Sequence, residues 1–541
     1  MRRPVRRPVV ALLAVAASAA LLLAGCVSDD SGGIDGGDAT VDGPNVLRVL
    51  AGSEVKDMIP ILEDAAKAVG VEVHLDYIGT LAGTELVASG QASGKYDATW
   101  FPNNRYLSLL PGADSAIKSS VKIMTSPVVL GLRSDVAERL GWDTTAPTWS
   151  DIAAAAADGE FTYGMTNPAA SNSGFSALVA VATALSGTGS ALTTADIDAV
   201  TPQMTDFFSA QKLTAGSSGF LADNFVANPD VVDGIINYES VLMGLEIDGE
   251  PLTIVTPTDG VVTSDYPFTL LSSADGSKGA LFEKLTDWLT TPDIQQRIAT
   301  EVHRRPGVPG IDTGGEFPDT VLFETPFPNT LEVANTLIST YLETVRSPAQ
   351  TLFVLDTSGS MEGERLAALK QALKNLAGAD TSTLGGFSAF RPRERVTFIP
   401  FSTNPESPIE FEVPEGDTSS ELADIQDAAD SLVAGGDTAI YDSLRVAYKL
   451  AIQQKKERPD TFVSVVLMTD GDNTVGWSPE QFESFYDDLG DKADGIPTFV
   501  VLFGDSDTDA LTHLAEFTGG KVFDALNGDL AGAFQEIRGY Q

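Results

Sequence analysis

Asp356, Ser358 and Ser360 alternate in the run DTSGS, Thr438 follows a pair of glycines in GGDT, and Asp470 stands in MTDGDN. Hydroxyls and carboxylates without nitrogen or sulfur are the donors a hard divalent cation selects. Two carboxylates balance a 2+ charge while water completes the shell. The chemistry implied is binding of Mg²⁺, or of Mn²⁺. Glycines in DTSGS and GGDT let the backbone turn tightly enough for several oxygens to approach one ion at about 2.1 Å. The same residues also admit a purely structural reading, in which the hydroxyls cap helices and the carboxylates end strands. Asp437, directly before Thr438, either adds charge to the site or faces solvent. Asp442, at the start of the next helix, reads as a packing or capping residue.

Such a site needs strands that deliver the three segments to one place. TLFVLDTSGSM is an apolar strand that stops at Asp356. ERLAALKQALKNLAG then sets Leu366, Leu369, Leu373 and Leu376 on one helical face, with Gly378 as the stop. RERVTFIPFS and PIEFEV read as strands, TAIYDSLRVAYKLAIQQKK as a helix, and TFVSVVLMTDGDN and PTFVVLFGD as strands buried on both faces. This alternation predicts a doubly wound parallel sheet, whose strand ends converge on a ligand crevice. Residues 348–541 resemble von Willebrand factor A (VWA) domains, a Rossmann-like α/β fold whose metal-ion-dependent adhesion site carries the signature D-x-S-x-S. The threonine and second aspartate follow in the family's order. The resemblance implies that Ser358, Ser360 and Thr438 touch Mg²⁺ (or Mn²⁺). Asp356 and Asp470 then act largely through water, and one position stays open for a carboxylate of a protein partner.

The preceding stretch, from Asn45, has its own alternation. NVLRVLAGS and VEVHLDYIGT are strands ending in small-residue turns, each followed by a helix, which predicts a parallel sheet built from βαβ units. Glu250 to Leu271 reads as strand-like. GQASGKYDATW, SPVVLGL, NPAASNSGF, NYESVL, PTDG with YPFTLL, and PDIQQRIATEVHRRPGVPG follow in an order that resembles the two-lobed type 2 periplasmic solute-binding proteins over residues 45–346. The resemblance implies lobe one at 45–125 and 260–345, lobe two at 133–250, and crossings near Ser126–Leu132 and Ile254–Asp265. Turns at helix starts would face a small polar ligand or an oxyanion: Ser53, Thr80, Ser171, Ser173 and Tyr238. The same serines and threonines also suit simple capping. His303, Arg304 and Arg305 either supply local positive charge or form a surface cluster.

The first residues are an address. MRRPVRRPVV carries four arginines, an apolar run reaches Gly25, and Leu23-Ala24-Gly25-Cys26 resembles the bacterial lipobox. The expectation is a signal peptide at 1–25, lipid on Cys26, a Gly/Asp/Ser-rich tether at 26–44, and a protein held at the extracytoplasmic face of the membrane. Export by the general or the twin-arginine route stays open. Cys26 is the sole cysteine, so intramolecular disulfides are excluded. With 34 Lys+Arg against 76 Asp+Glu, a net charge of -42 excludes a nucleic-acid role. Three histidines give a zinc site or a Ser/His/Asp hydrolase little to work with. The function expected is a non-enzymatic binding protein. It would engage a protein through the metal, while the first region senses or presents a ligand. The alternatives are a substrate receptor for a membrane transporter and, at the margin, a hydrolase using Glu54 and Asp97.

Overall fold

The computed structural model describes residues 43–318, 321–502, 504, 508–525 and 530–540. The leader, Cys26 and all but the end of the tether lie outside the described residues.

In the first region the strands are β1 (Val46–Ala51), β2 (Glu72–Tyr77), β3 (Ala98–Trp100), β4 (Ile117–Lys122) and β5 (Met124–Leu132). There follow β6 (Tyr163–Thr166), β7 (Gln211–Ala215), β8 (Gly234–Tyr238), a hairpin of β9 (Glu246–Ile247) and β10 (Glu250–Pro251), β11 (Thr253–Val255), β12 (Thr263–Ser264), β13 (Pro267–Leu271) and β14 (Arg305–Pro306). One sheet has the order β2-β1-β3-β13-β4 and the other β11-β5-β8-β6-β7. Each is the core of a lobe. β1 is parallel to both β2 and β3, as crossover helices require. All nine residues of β5 are buried. Thr125 pairs with Arg305, Pro127 with Thr263 and Leu132 with Thr253, so the chain passes between the lobes along β5 and returns through β11 and β12.

The stretch Glu250–Leu271 differs from its strand-like reading, because it breaks into four short strands. The cause is a turn at Asp259-Gly260. Gly260 has φ +136°, and Trp149 fastens the turn by donating its backbone N–H to Asp259 Oδ1 and its indole N–H to the Gly260 carbonyl. The lobes meet directly. Asn103 Nδ2 donates to Asn172 Oδ1 at 2.9 Å, and a Cβ on Gly79 would lie 2.8 Å from the Ala170 carbonyl.

The second region is a six-stranded sheet, β17-β16-β15-β18-β19-β20, built from β15 (Ala349–Asp356), β16 (Arg395–Phe401), β17 (Ile409–Glu412), β18 (Phe462–Thr469), β19 (Thr498–Leu502) and β20 (Val522–Asp524). Every neighbouring pair is parallel except β16 with β17. Period-two alternation supplies both faces of the core. Phe353 and Leu355 pack with Leu369 and Leu373 of the helix Glu364–Lys374, while Leu352 and Val354 pack with Leu444 and Ala447 of the helix Ile440–Glu457. Leu366 is only half-buried, because it lies in the first helical turn beside the exposed Glu362–Glu364 segment.

Val129, Ala215, Phe225 and Ile235 of the first region share an apolar cluster with Phe353, Phe534 and Tyr540 of the second. Removal of this surface from water holds the two together. Among the described residues no helix is long and apolar enough to cross a membrane.

Candidate functional site

β15 ends on Asp356 and its parallel neighbour β18 ends on Thr469, one residue before Asp470. β15 and β18 lie where the strand order reverses, the position at which an open α/β sheet leaves a crevice. Asp356, Ser358, Thr438 and Asp470 are all buried, while Ser360 is exposed. Asp356 Oδ1 accepts the Ser358 N–H at 2.8 Å, and Oδ2 accepts the Thr469 hydroxyl at 2.8 Å. The Ser358 and Ser360 hydroxyls are 2.9 Å apart, and Ser360 donates to Asp470 Oδ1 at 2.8 Å. Four of the five oxygen-bearing residues thus form one continuous chain of hydrogen bonds.

Thr438 is brought alongside by backbone stitching. The Gly359 N–H donates to the Gly436 carbonyl at 3.0 Å, and the Gly435 N–H to the Thr357 carbonyl at 2.8 Å. On the other side the Thr438 N–H reaches Thr474 Oγ1 and the Thr474 N–H reaches the Thr438 carbonyl, each at 2.9 Å. The close approach depends on Gly436, which has φ +89° and where a Cβ would lie 2.7 Å from Thr403 Oγ1.

Burial raises the Asp356 carboxyl above its usual range. The hydrogen bonds from Ser358 and Thr469 oppose that rise, and the charge of Asp470 adds to it. Asp470 is answered by Arg365, whose guanidinium reaches Oδ2 at 2.6 Å. The set consists of two buried carboxylates and three hydroxyls, with no nitrogen or sulfur donor, and this fits Mg²⁺ or Mn²⁺. Thr469 and Arg365 are new relative to the sequence reading. Thr469 becomes legible only with the β15/β18 register, and Arg365 only once the helix start is placed beside Asp470. Asp437 is exposed, and its backbone N–H and its carboxylate both engage Thr403 Oγ1. Asp442 accepts the Trp477 N–H at 2.8 Å, a packing role. A cavity of about 400 Å³ lies beside the site, lined in part by Tyr441, Gly471, Asp472, Thr474, Trp477 and Leu511.

In the first region Ser53 opens the short turn Ser53–Met58, and Thr80 opens the helix Thr80–Ala88. Ser171 precedes the helix Asn172–Ser186 without a side-chain cap bond. Ser173 spends its hydroxyl within its lobe, 2.8 Å from both Thr166 and Ser218 and 3.2 Å from Ser171. Fully buried Tyr238 ends β8, and its hydroxyl accepts Asn172 Nδ2 at 3.1 Å. Asn172 is the hub that sequence reasoning missed. It stands between the two serines of SNS, donates also to Ser264 Oγ at 3.2 Å, and accepts from Asn103 across the lobes. Ser53 and Thr80 come from the opposite lobe, with Gly79 carrying the Thr80 turn up against Ala170.

The surface-cluster reading of the basic residues is corrected. Arg304 is 0% exposed, and Asp57, the Glu54 carbonyl and the Tyr266 ring 4.9 Å away receive its guanidinium. Buried Glu239 accepts Arg305 through both oxygens, at 2.7 and 2.9 Å, and His303 Nδ1 lies 2.6 Å from Glu316 Oε1. Each of the three basic side chains therefore faces a carboxylate. The hydrolase pairing is also corrected. Glu54 lies beyond the C-terminal end of β1, whereas Asp97 precedes β3 and is held by Arg48, so the parallel strands place them at opposite ends of the sheet.

Residues 47–301 match the family of bacterial extracellular solute-binding proteins, and residues 352–536 match the von Willebrand factor type A domain. Curated relatives include an inter-alpha-trypsin inhibitor heavy chain of Sus scrofa, 29% identical over 138 residues, which are 24% of this chain and 13% of that protein. Its human counterpart is 31% identical over 136 residues, again 13% of its length. This chain therefore spans only a small part of those relatives. Similar solved structures include a periplasmic binding protein of Actinobacillus pleuropneumoniae, with 12% identity, a TM-score of 0.44, and coverage of 55% of this chain and 98% of that one. A von Willebrand factor type A protein of Catenulispora acidiphila has 18% identity and a TM-score of 0.28, with coverage of 36% and 43%. The chain is thus a two-lobed periplasmic-binding-protein-like region followed by a Rossmann-like VWA domain.

Proposed function

We propose that this is a non-enzymatic, extracytoplasmic binding protein whose VWA domain engages a protein partner through a divalent cation, while the solute-binding region senses or presents a small ligand. Asp356, Ser358, Ser360, Thr438 and Asp470 would hold Mg²⁺ or Mn²⁺. The ion supplies a positive position for a carboxylate of the partner. The observation that carries this reading is the continuous chain Asp356–Ser358–Ser360–Asp470, with Thr438 stitched beside it. Oxygens held in advance by hydrogen bonds and glycine turns need little rearrangement on binding an ion. Tyr441, Trp477 and Leu511 give the partner an apolar seat next to the charge. Lipid on Cys26 would keep the assembly at the membrane surface.

Sensing is favoured over delivery to a transporter by how the two regions touch. The loop after β6 that leads to Ser171 offers Asn167 Nδ2 to the Arg538 carbonyl of the C-terminal helix, and Phe220 packs edge-on against Tyr540 with centroids 4.8 Å apart. A change at the ligand turns therefore meets the VWA domain directly.

Mn²⁺ with acetate, as a stand-in for the partner carboxylate, tests the adhesion reading. Water-proton relaxation should rise when Mn²⁺ is added to the protein and fall as acetate displaces bound water. The Ser360→Ala variant should show neither change to the same degree. Relaxation that ignores acetate would refute an open carboxylate position.

A further inference from the structure

Residues 321–346, which lead from the first region into the VWA domain, are fastened in turn to lobe one, to lobe two and to the VWA domain. We propose that this segment is a latch on the cleft: it clips lobe one to a single rigid body made of lobe two and the VWA domain, and the cleft opens only when lobe one lets go of it. The inference rests on the two-lobed fold and is independent of which ligand the cleft takes.

The segment starts at the hinge. The Val261 N–H donates to the Phe323 carbonyl and the Thr325 N–H to the Val261 carbonyl, each at 2.8 Å, while Glu324 Oε1 accepts the Thr263 N–H and the Arg105 guanidinium. Phe327 then stands between the lobes. Arg105 of lobe one lies 5.7 Å from its ring centroid, and Phe175 of lobe two meets it edge-on at 5.5 Å. In the helix Leu331–Thr340, Asn335 Oδ1 accepts the hydroxyl of Tyr106, a lobe one residue, at 2.9 Å.

The rest of that helix belongs to the other body. Ala334, Leu337 and Ile338 are buried in one apolar cluster with Val200, Met204 and Phe207 of the lobe two helix Thr194–Phe208, against which the latch helix packs. Tyr341 follows, edge-on to Phe208 at 5.1 Å, and its hydroxyl donates to Gln211 Oε1 at 3.2 Å. Glu343 then receives Arg391 at 2.8 Å and Arg346 pairs with Glu394, both in the VWA domain. Lobe two meets the same domain a second time, through Asn167 and Phe220 on its C-terminal helix. Interlocked apolar packing of this kind resists sliding, so lobe two, latch helix and VWA domain move together. Lobe one is tied to them by the strand crossings, the Asn103–Asn172 bond, the latch, and one catch where Thr383 of the VWA domain hydrogen-bonds Glu85 of the lobe one helix Thr80–Ala88. Rotation about the crossings would break Tyr106–Asn335 and Glu85–Thr383 and draw Arg105 off Phe327, while Tyr341 and Glu343 stay in place. Loss of one such hydrogen bond shifts an equilibrium by roughly two- to tenfold, so the catches act as a set.

The test is double electron–electron resonance on the full chain with Cys26→Ser, spin-labelled in pairs at three exposed helical alanines: Ala68→Cys in lobe one, Ala154→Cys in lobe two and Ala423→Cys in the VWA domain. The latch is released by Phe327→Ala with Asn335→Ala and Thr383→Val. A milder variant keeps Phe327, and serves if the first does not melt cooperatively. Release should change the mean 68–154 and 68–423 distances by more than about 2 Å, the scale of a domain rearrangement, or give each a second population, and should leave 154–423 as in the parent. A cooperatively melting variant with all three distances unchanged would overturn the latch. A 154–423 distance that changes with the others would overturn the rigid pairing of lobe two with the VWA domain.

Discussion

Asp470 receives two groups of different kind, the hydroxyl of Ser360 on one oxygen and the guanidinium of Arg365 on the other. A guanidinium on a carboxylate that would face a 2+ ion competes with that ion electrostatically. Arg365 is 39% exposed, so solvent screens it and the effect is modest. Arg365→Gln is therefore expected to tighten Mg²⁺ by about 1 kcal/mol, roughly fivefold in dissociation constant, by isothermal calorimetry. Unchanged or weaker binding would show that Arg365 supports the site instead of opposing the ion. Glu54 yields a second expectation. Its folded pKa of about 7 lies above its ordinary 4.5, so between these values the folded chain holds a proton that the unfolded chain has lost. Its stabilising contribution is present below pH 4.5 and declines as pH rises through 7. Glu54→Gln should flatten that part of the stability-versus-pH curve, measured by urea unfolding, and a slope unchanged by the substitution would contradict the assignment. Asp356, Ser358 and Ser360 stood out through the local spacing of DTSGS, whereas Thr438 and Asp470, on separate segments, were singled out by the order in which those segments follow. Thr469, Arg365 and Asn172 were not, since each gains its role from a partner on another element.

Strand ends set the geometry of the proposed metal centre, and one glycine shows how closely they pack. A Cβ on Gly504, just past β19, would lie 2.1 Å from the Asp470 carbonyl, nearer than real contacts allow. Gly504→Ala must push the Asp470 loop aside. The expected cost is about 1–3 kcal/mol, read as a lower denaturant midpoint, together with weaker Mg²⁺ binding. An unshifted midpoint would mean that the two loops are looser than they stand. The alternation of strands and helices, and hence the α/β character of both regions, was readable from hydrophobic periodicity, as in TLFVLD against ERLAALKQALK. The break within Glu250–Leu271 was not. It depends on Trp149, about a hundred residues earlier, fastening Asp259-Gly260 from outside the segment.

The seam between the two regions is built around a buried charge cluster. Glu394, 2% exposed, accepts Arg538 through both oxygens at 2.9 Å and pairs also with Arg346. Arg346 is 48 residues away in sequence and Arg538 is 144, so no local pattern could reveal the cluster. Burial alone would raise the Glu394 carboxyl, but the two guanidiniums overcome it and hold it below the usual carboxylate range. The unfolded chain therefore takes up this proton first. The contribution is complete above the ordinary glutamate pKa and is lost as pH falls through the folded value. Glu394→Gln would leave two buried guanidiniums short of charge, at an expected cost of about 3–5 kcal/mol near pH 7, and would remove part of the acid sensitivity. Equal stability of variant and parent across that range would contradict this. The most direct measurement is the melting temperature of the full chain and of Asp356→Ala, with and without Mg²⁺. An ion that binds only the folded state stabilises by about 2.7 kcal/mol at a hundredfold excess over its dissociation constant. The parent should melt higher with saturating Mg²⁺ and fall back on chelation, while Asp356→Ala should melt cooperatively and ignore the ion. A parent chain whose melting temperature is indifferent to millimolar Mg²⁺ and Mn²⁺ would contradict the metal centre, and Asp356 would then be only a hydrogen-bonded strand end.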